Sequence, residues 1–257
     1  FRPPDFAEAT AALGEERRYT SLVPTQLRRV LESEDALEAL RGYAAVLIGG
    51  AALDAETRER ASAVGVRVVT TYGMSETAGG CVYDGVPLDG VTVDLDADGR
   101  ILLGGPTLAS GYLGRADETA AAFGGGRFRT GDLGRWHDGR LEVLGRADDM
   151  IVTGGEKVAP AAVERVLTSQ PGVRAACVTA LPDDEWGQIV AAAVVLDGPV
   201  EAADWTDPLR AAVRTDLGRA AVPRRIVAVA EIPLRGIGKP DRAAVARLMV
   251  DDRTTAL

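Results

Sequence analysis

From Phe1 to about Leu144, short apolar runs alternate with stretches of helical period. Ala44 to Ile48 and Val66 to Thr70 read as buried strands, and between them Asp54 to Val64 has the spacing of a helix. That order predicts a β-α-β unit and a parallel α/β layer. Val91 to Leu95, Ile101 to Leu103 and Leu141 to Val143 are shorter, and Asp98-Gly99 and Asp138-Gly139 punctuate them, which predicts antiparallel hairpins. Beyond Gly145 the expected order is helix (Pro160 to Thr168), strand (Val173 to Ala180), strand (Ile189 to Leu196), helix (Ala203 to Leu217), strand (Arg225 to Val229) and helix (Asp241 to Met249). These elements fit a small α+β domain of about 110 residues. The expected fold is thus α/β plus α+β: one domain over 1–147 and a smaller one over 148–257, with the boundary near Arg146 to Asp149. No repeat is present, and Gly124 to Gly126 reads as a surface turn.

Composition narrows the classes of function. The chain has 257 residues, 46% of them hydrophobic, enough for a substantial core. Its formal charge of -9 is spread without a basic run, which argues against nucleic acid or an anionic membrane as partner. Cys81 and Cys177 are far apart and lack metal-ligand spacing, so a reducing cytoplasm is expected rather than a disulfide framework or a zinc site. The longest apolar run, Ile189 to Leu196, is too short to span a bilayer. The chain opens at Phe1 without a signal peptide, and a preceding amino-terminal part is expected.

Several segments invite a nucleotide. Arg235-Gly236-Ile237-Gly238-Lys239 lacks the Walker spacing, and Gly49-Gly50 does not complete G-x-G-x-x-G, although a backbone turn there suits a flat ligand. Thr71-Tyr72-Gly73-Met74-Ser75-Glu76-Thr77 follows a buried strand, where ligands of α/β sheets sit. It offers an aromatic face, a glycine, hydroxyls and a carboxylate, as a nucleotide with a metal-bound phosphate requires; a polar turn would have the same composition. Lys157 and Lys239 are the two lysines among 29 basic residues. A slim ammonium reaches places a wide guanidinium fork does not, which singles out Lys239; Lys157, just before a helix at Pro160, reads as a solvated side chain. His137, the single histidine, sits in a hairpin turn and reads as structural.

Tyr72 to Thr77 resembles the Tyr-Gly-x-Thr-Glu motif of the adenylate-forming enzymes, and other motifs of that family follow in order. Phe128-Arg129-Thr130-Gly131-Asp132 is similar to their Tyr-x-Thr-Gly-Asp. Gly145-Arg146-Ala147-Asp148-Asp149 resembles the segment with a ribose- or phosphate-binding Arg and a hinge Asp. Gly154-Gly155-Glu156 is similar to the loop lining the pantetheine tunnel, Trp186 to a residue beside that tunnel, and Pro233 to Lys239 to the loop with the catalytic Lys. The resemblance covers essentially the whole chain. It implies a partial large AMP-binding domain over 1–147 and a small lid domain over 148–257. The family's Ser/Thr/Gly-rich phosphate loop ending in Lys has no counterpart here. Without that segment the large domain would expose apolar surface, and a homo-oligomer or association with the preceding segment is expected.

The resemblance implies an AMP-forming acid-thiol ligase that uses ATP, Mg2+ and coenzyme A on a small-molecule acid. Adenine would lie against Gly49, Gly50, Ala51, Tyr72, Gly73, Met74 and Ser75, ribose on Asp132 and Arg146, and the metal at Glu76. Lys239 would be catalytic, Asp148 the hinge, and Gly154, Gly155 and Trp186 would meet the CoA arm. Ser21 to Leu27, Gly79 to Leu88 and the Arg235 to Lys239 loop resemble a branch whose acid carries two carboxylates. Ser21, Thr25 and Arg29 are accordingly the expected acid-binding residues, Arg29 sharing a helix face with Thr25 and equally open to reading as a surface arginine. Another aryl or fatty acid as substrate, and a non-catalytic fragment, stay open.

Overall fold

Residues 44–70 take up the β-α-β order that their pattern predicts, in a computed structural model that describes residues 1–14, 16–198, 205–235 and 239–251. The chain divides into two compact units, Phe1–Val143 and Leu144–Leu257.

The first unit begins with helix α1 (Pro3–Ala11), strand β1 (Tyr19–Leu22), helices α2 (Pro24–Leu31) and α3 (Glu34–Arg41), β2 (Ala45–Ile48), α4 (Ala55–Ala63) and β3 (Val68–Met74). β1, β2 and β3 pair in parallel. Pro24 starts α2 where its missing N–H costs nothing, and Asp54 caps α4 by accepting the Thr57 N–H at 2.7 Å. Leu27, Val30, Ala36, Leu40, Val46, Ile48 and Ala61 close one core between helices and sheet. The same sheet then changes sense: β4 (Gly79–Tyr83) and β5 (Val86–Pro87) add antiparallel strands to β3. A second sheet follows from β6 (Thr92–Leu95), β7 (Arg100–Gly104), helix α5 (Ala116–Ala122), β8 (Phe123–Gly124), β9 (Arg127–His137) and β10 (Arg140–Arg146), whose last residues, from Leu144, already belong to the second unit. Its order is β10-β9-β7-β6, with β8 on β9, so the expected hairpins form. Asp138 and Gly139 turn one of them at φ 49° and 72°, the left-handed pair that a two-residue hairpin requires. Gly125 and Gly126, also left-handed, turn β8 into β9.

The second unit contains β11 (Ile151–Thr153), β12 (Glu156–Val158), α6 (Pro160–Thr168), β13 (Val173–Asp183), β14 (Gly187–Leu196), α7 (Thr206–Leu217), β15 (Arg225–Ala228), β16 (Leu234–Arg235), β17 (Lys239–Pro240) and α8 (Arg242–Asp251). Ala203 and Asp204, the expected start of α7, lie outside the described residues. β14 is the centre of a three-stranded sheet, antiparallel to β13 and parallel to β15. Val190, Ala192 and Val194 face a core with residues of α6 and α7, whereas Ala191 and Ala193 pack against Val245 and Met249 of α8. Burial on both faces explains why this strand reads as an unbroken apolar run. Each fully buried valine contributes about 1.5–3 kcal/mol, so β14 anchors the unit.

Candidate functional site

β3 brings Thr71, Tyr72 and Gly73 to the end of the parallel layer, and a single turn at Ser75–Thr77 leads into β4. Buried Thr77 shapes that turn: its Oγ1 accepts the Met74 N–H at 2.9 Å and donates to the Gly79 carbonyl at 2.7 Å. β4 passes so close to β3 that a Cβ at Gly73 would stand 1.9 Å from the Gly79 oxygen. Glycine is required there by space alone. A Cβ at Gly49 would likewise meet Thr71 Oγ1 at 2.6 Å. These bare backbones leave a cleft of about 290 Å³ lined by Ser21, Leu22, Val23, Gln26, Gly49, Gly50, Thr71, Gly73, Gly79 and Gly80.

Two motif segments far apart in sequence meet at Tyr72, which does not line the cleft and packs toward the core of the second sheet. Tyr72 Oη donates to Asp132 Oδ2 at 2.8 Å. Burial, reinforced by the Asp132 carboxylate, pushes the Tyr72 hydroxyl well above its ordinary pKa and keeps it protonated. Asp132 is itself held by Thr130, which is fully buried and whose Oγ1 accepts the Asp132 N–H at 3.0 Å while donating to the Ile101 carbonyl at 2.9 Å. Glu76 is half-buried, and its Oε1 accepts the Tyr112 hydroxyl at 2.8 Å. That bond raises the Tyr112 pKa. Among the described residues no three His, Cys, Asp or Glu side chains are grouped to hold a metal. Glu76 offers a single carboxylate, and Mg2+ usually takes one or two and completes its shell with water and phosphate.

The remaining expected residues are distributed as follows. Ser21, Gly49 and Gly50 line the cleft, whereas Ala51 and Ser75 are exposed and Met74 is half-buried. Thr25 and Arg29 lie one turn apart on α2 and are not among the lining residues; Arg29 is exposed, and Gln26 of the same helix faces the cleft instead. Neighbouring Arg28 is engaged, its Nη2 donating to Asp54 Oδ2 at 2.6 Å. Arg146 and Asp148 belong to the second unit, where Arg146 Nη2 stands 3.4 Å from Asp148 Oδ2. Asp148 is the middle residue of the short turn Ala147–Asp149.

Gly154, Gly155 and Trp186 do come together. The β11–β12 turn places Gly154 at φ 55° and Gly155 at φ 84°, and the Gly154 N–H donates to the Trp186 carbonyl at 3.1 Å. A Cβ on Gly154 would enter the indole at 2.6 Å. That indole also carries Arg224, its guanidinium carbon 4.4 Å from the ring centre. Lys239 pairs with Arg235 across β16 and β17; its side chain, and Gly236, Ile237 and Gly238, lie outside the described residues. Lys157 is exposed on β12, and His137 is exposed at the end of β9. Tyr112 and Arg224 emerge only from the folded chain, whereas Gln26, Thr71 and Thr130 lie in motif segments legible in the sequence and take their roles from the fold.

Comparison with known proteins identifies the family. Residues 3–113 match the AMP-binding enzyme family and residues 162–239 the AMP-binding enzyme C-terminal domain. The chain belongs to the adenylate-forming enzymes. It is 48% identical over 247 residues to a probable 2-succinylbenzoate–CoA ligase of Mycobacterium tuberculosis, an alignment that takes in 95% of this chain and 64% of that protein. Among solved structures it is similar to an amide bond synthetase from Marinactinospora thermotolerans, with a TM-score of 0.86, 30% identity and coverage of 97% of this chain and 55% of that one. It is also similar to the o-succinylbenzoate CoA synthetase of Bacillus subtilis in complex with its acyl-adenylate intermediate, with a TM-score of 0.79, 28% identity and coverage of 95% and 54%. The chain thus spans just under two thirds of the length of the curated relative and about half of each solved one.

Proposed function

We propose that the chain serves an ATP-dependent acid-thiol ligase that makes o-succinylbenzoyl-CoA, a step of menaquinone biosynthesis, through an acyl-adenylate. The hydrogen bond between Tyr72 and Asp132 carries this reading, because it assembles two separate family motifs into one wall. The 48% identity to a probable 2-succinylbenzoate–CoA ligase supports the choice of acid.

In the first half-reaction a carboxylate oxygen of the acid attacks the α-phosphorus of ATP, an O–P bond forms, and pyrophosphate leaves. Gly49, Gly50 and Ala51 with Tyr72, Gly73, Met74 and Ser75 hold the adenine end, and Asp132 accepts the ribose hydroxyls, with Arg146 as a further contact. Glu76 would hold Mg2+, and the ion would supply charge neutralisation for the phosphates. Lys239 stabilises the negative charge that develops at phosphorus, a positioned charge worth most where water is excluded. In the second half-reaction the CoA sulfur attacks the acyl carbon and AMP departs with the bonding pair. Gly154 and Gly155 admit the pantetheine arm beside Trp186, and Asp148 is the hinge by which the small lid domain exchanges Lys239 for that turn. Thr25 and Arg29, with Ser21, are proposed for the second carboxylate of the acid. No helix among the described residues is long and apolar enough to cross a membrane; a cytoplasmic location is part of the proposal.

Pyrophosphate release from ATP with o-succinylbenzoate, with and without CoA, tests the reading beside a Lys239→Ala control. Release that requires the acid and Lys239 is expected. Release that ignores either, or none from the folded chain, overturns autonomous ligase activity. For the hinge, Asp148→Pro restricts φ and is expected to impair the two half-reactions unequally; equal loss removes the hinge.

A further inference from the structure

Outside the cleft, the second unit contains one charged side chain that joins four elements. Arg242, at the start of α8, grips Glu164 of α6 at two points: Nη1 meets Oε1, and Nη2 meets Oε2 at 3.1 Å. Nη1 also donates to the Val178 carbonyl of β13, and Nε stands 3.7 Å from Asp149 Oδ2. Glu164 Oε1 in turn accepts the Val178 N–H at 2.7 Å. The Arg242 and Glu164 side chains are only 25% and 18% exposed, so water does not loosen the pair. Leaving either partner alone in such a place is costly, and only a planar fork can hold two carboxylate oxygens and a carbonyl together.

The tether from this node to Lys239 is three residues long, at most about 10 Å of chain. It is also stiff. Pro240 fixes its own φ, the Asp241 N–H donates to the Pro233 carbonyl at 2.8 Å, and Asp241 Oδ1 accepts the Ala244 N–H at 3.0 Å as a cap on α8. The node therefore fixes the base of the Lys239 strand against α6, β13 and the Ala147–Asp149 turn. Resting on the ligase reading above, we propose that Arg242 is a positioning residue: through Glu164 and Asp149 it holds the Lys239 segment at the alignment that adenylation needs. It touches neither acid nor nucleotide.

A purely structural ion pair would stabilise α8 and nothing more, so the test compares the two half-reactions. Arg242→Lys is expected to lower kcat for acid-dependent pyrophosphate release at least tenfold, with KM for ATP within about twofold. Thioester formation from supplied acyl-adenylate and CoA should stay within about twofold, because Lys239 takes no part in it. In a Lys239→Ala background, Arg242→Lys should add no further loss. Glu164→Gln should reproduce the split. Asp149→Asn, which leaves the Glu164 grip intact, should reproduce it more weakly and serves if Arg242→Lys does not fold. Amide exchange reads the tether without catalysis: protection in the peptide Leu234–Asp241 should fall in the variants while that of Val190–Val195 holds. Parallel loss of both half-reactions with a falling Tm overturns the proposal, as does unchanged exchange in Leu234–Asp241. Absence of pyrophosphate release in the unsubstituted protein would sink the ligase reading alone, since the exchange experiment would still decide whether Arg242 sets the tether.

Discussion

Asp132 accepts the Tyr72 hydroxyl at 2.8 Å across sixty residues of sequence, and Thr130 holds the Asp132 backbone from behind. Tyr72→Phe keeps the ring and removes the donor. Loss of a bond to a charged group should cost about 1.5–3 kcal/mol in urea unfolding. The alkaline limb is a second readout. The folded-state Tyr72 pKa lies above its unfolded value of 10.0, so its contribution is complete below pH 10 and declines as pH rises further. The wild-type chain should lose this stability above pH 10 and the phenylalanine variant should not; superimposable alkaline limbs would refute the assignment.

The Arg28–Asp54 contact ties α2 to α4. Burial works to raise the Asp54 pKa, but the hydrogen bonds from Arg28 and Thr57 outweigh it and hold the carboxyl below its ordinary range. A depressed carboxylate contributes stability above its unfolded pKa and loses it as pH falls through the folded one. Asp54→Asn keeps the cap and removes the charge, so stability should drop by about 1 kcal/mol at pH 7. The gap should close on acidification. A gap that is constant down to pH 2 would place the effect elsewhere.

Gly154 and Gly155 both have positive φ yet should respond differently to alanine. At Gly155 nothing lies within 4 Å of an added Cβ, so Gly155→Ala carries only the backbone cost, about 1 kcal/mol. At Gly154 the new carbon would strike the indole of Trp186. Gly154→Ala should therefore alter tryptophan fluorescence and raise KM for CoA, whereas Gly155→Ala should leave the spectrum unchanged. Identical spectra for both variants would mean that the turn does not rest on Trp186.

Arg29 is exposed on α2 and does not line the cleft. If it clamps the second carboxylate of the acid, Arg29→Ala should raise KM for o-succinylbenzoate about tenfold, equivalent to about 1.4 kcal/mol, and leave a matched monoacid unaffected. An unchanged diacid KM would remove Arg29 from the acid site and direct attention to Gln26.

β2 and the central strand of the second unit were legible because burial leaves an almost unbroken apolar signature, and β3, expected to be buried, is half-buried along its whole length and was legible from Val68 and Val69 beside the helix. β4 was not. It opens with Gly79-Gly80, poor strand formers, and is a strand because β3 has room for it only where Gly73 lacks a side chain. Arg127–His137 was visible as a motif rather than a strand, its pattern interrupted by Gly131 and by Gly134, where a Cβ would press on Ile101 at 2.9 Å. The motif segments themselves could be read locally, whereas their supports could not. Tyr112 beneath Glu76, Arg224 on Trp186 and Glu164 beneath Arg242 are long-range pairs with no shared period.

Ala191 and Ala193 are the buried β14 residues that share a core with Val245 and Met249 of α8, while Val190, Ala192 and Val194 belong to the opposite core. Side-chain volume here acts as a spacer. An enlargement such as Ala193→Val would lift α8 and tilt the whole arm that ends in Lys239, without touching a single residue of the cleft. The position of the Lys239 strand is therefore adjustable from the interior of the unit, through core volumes outside the cleft.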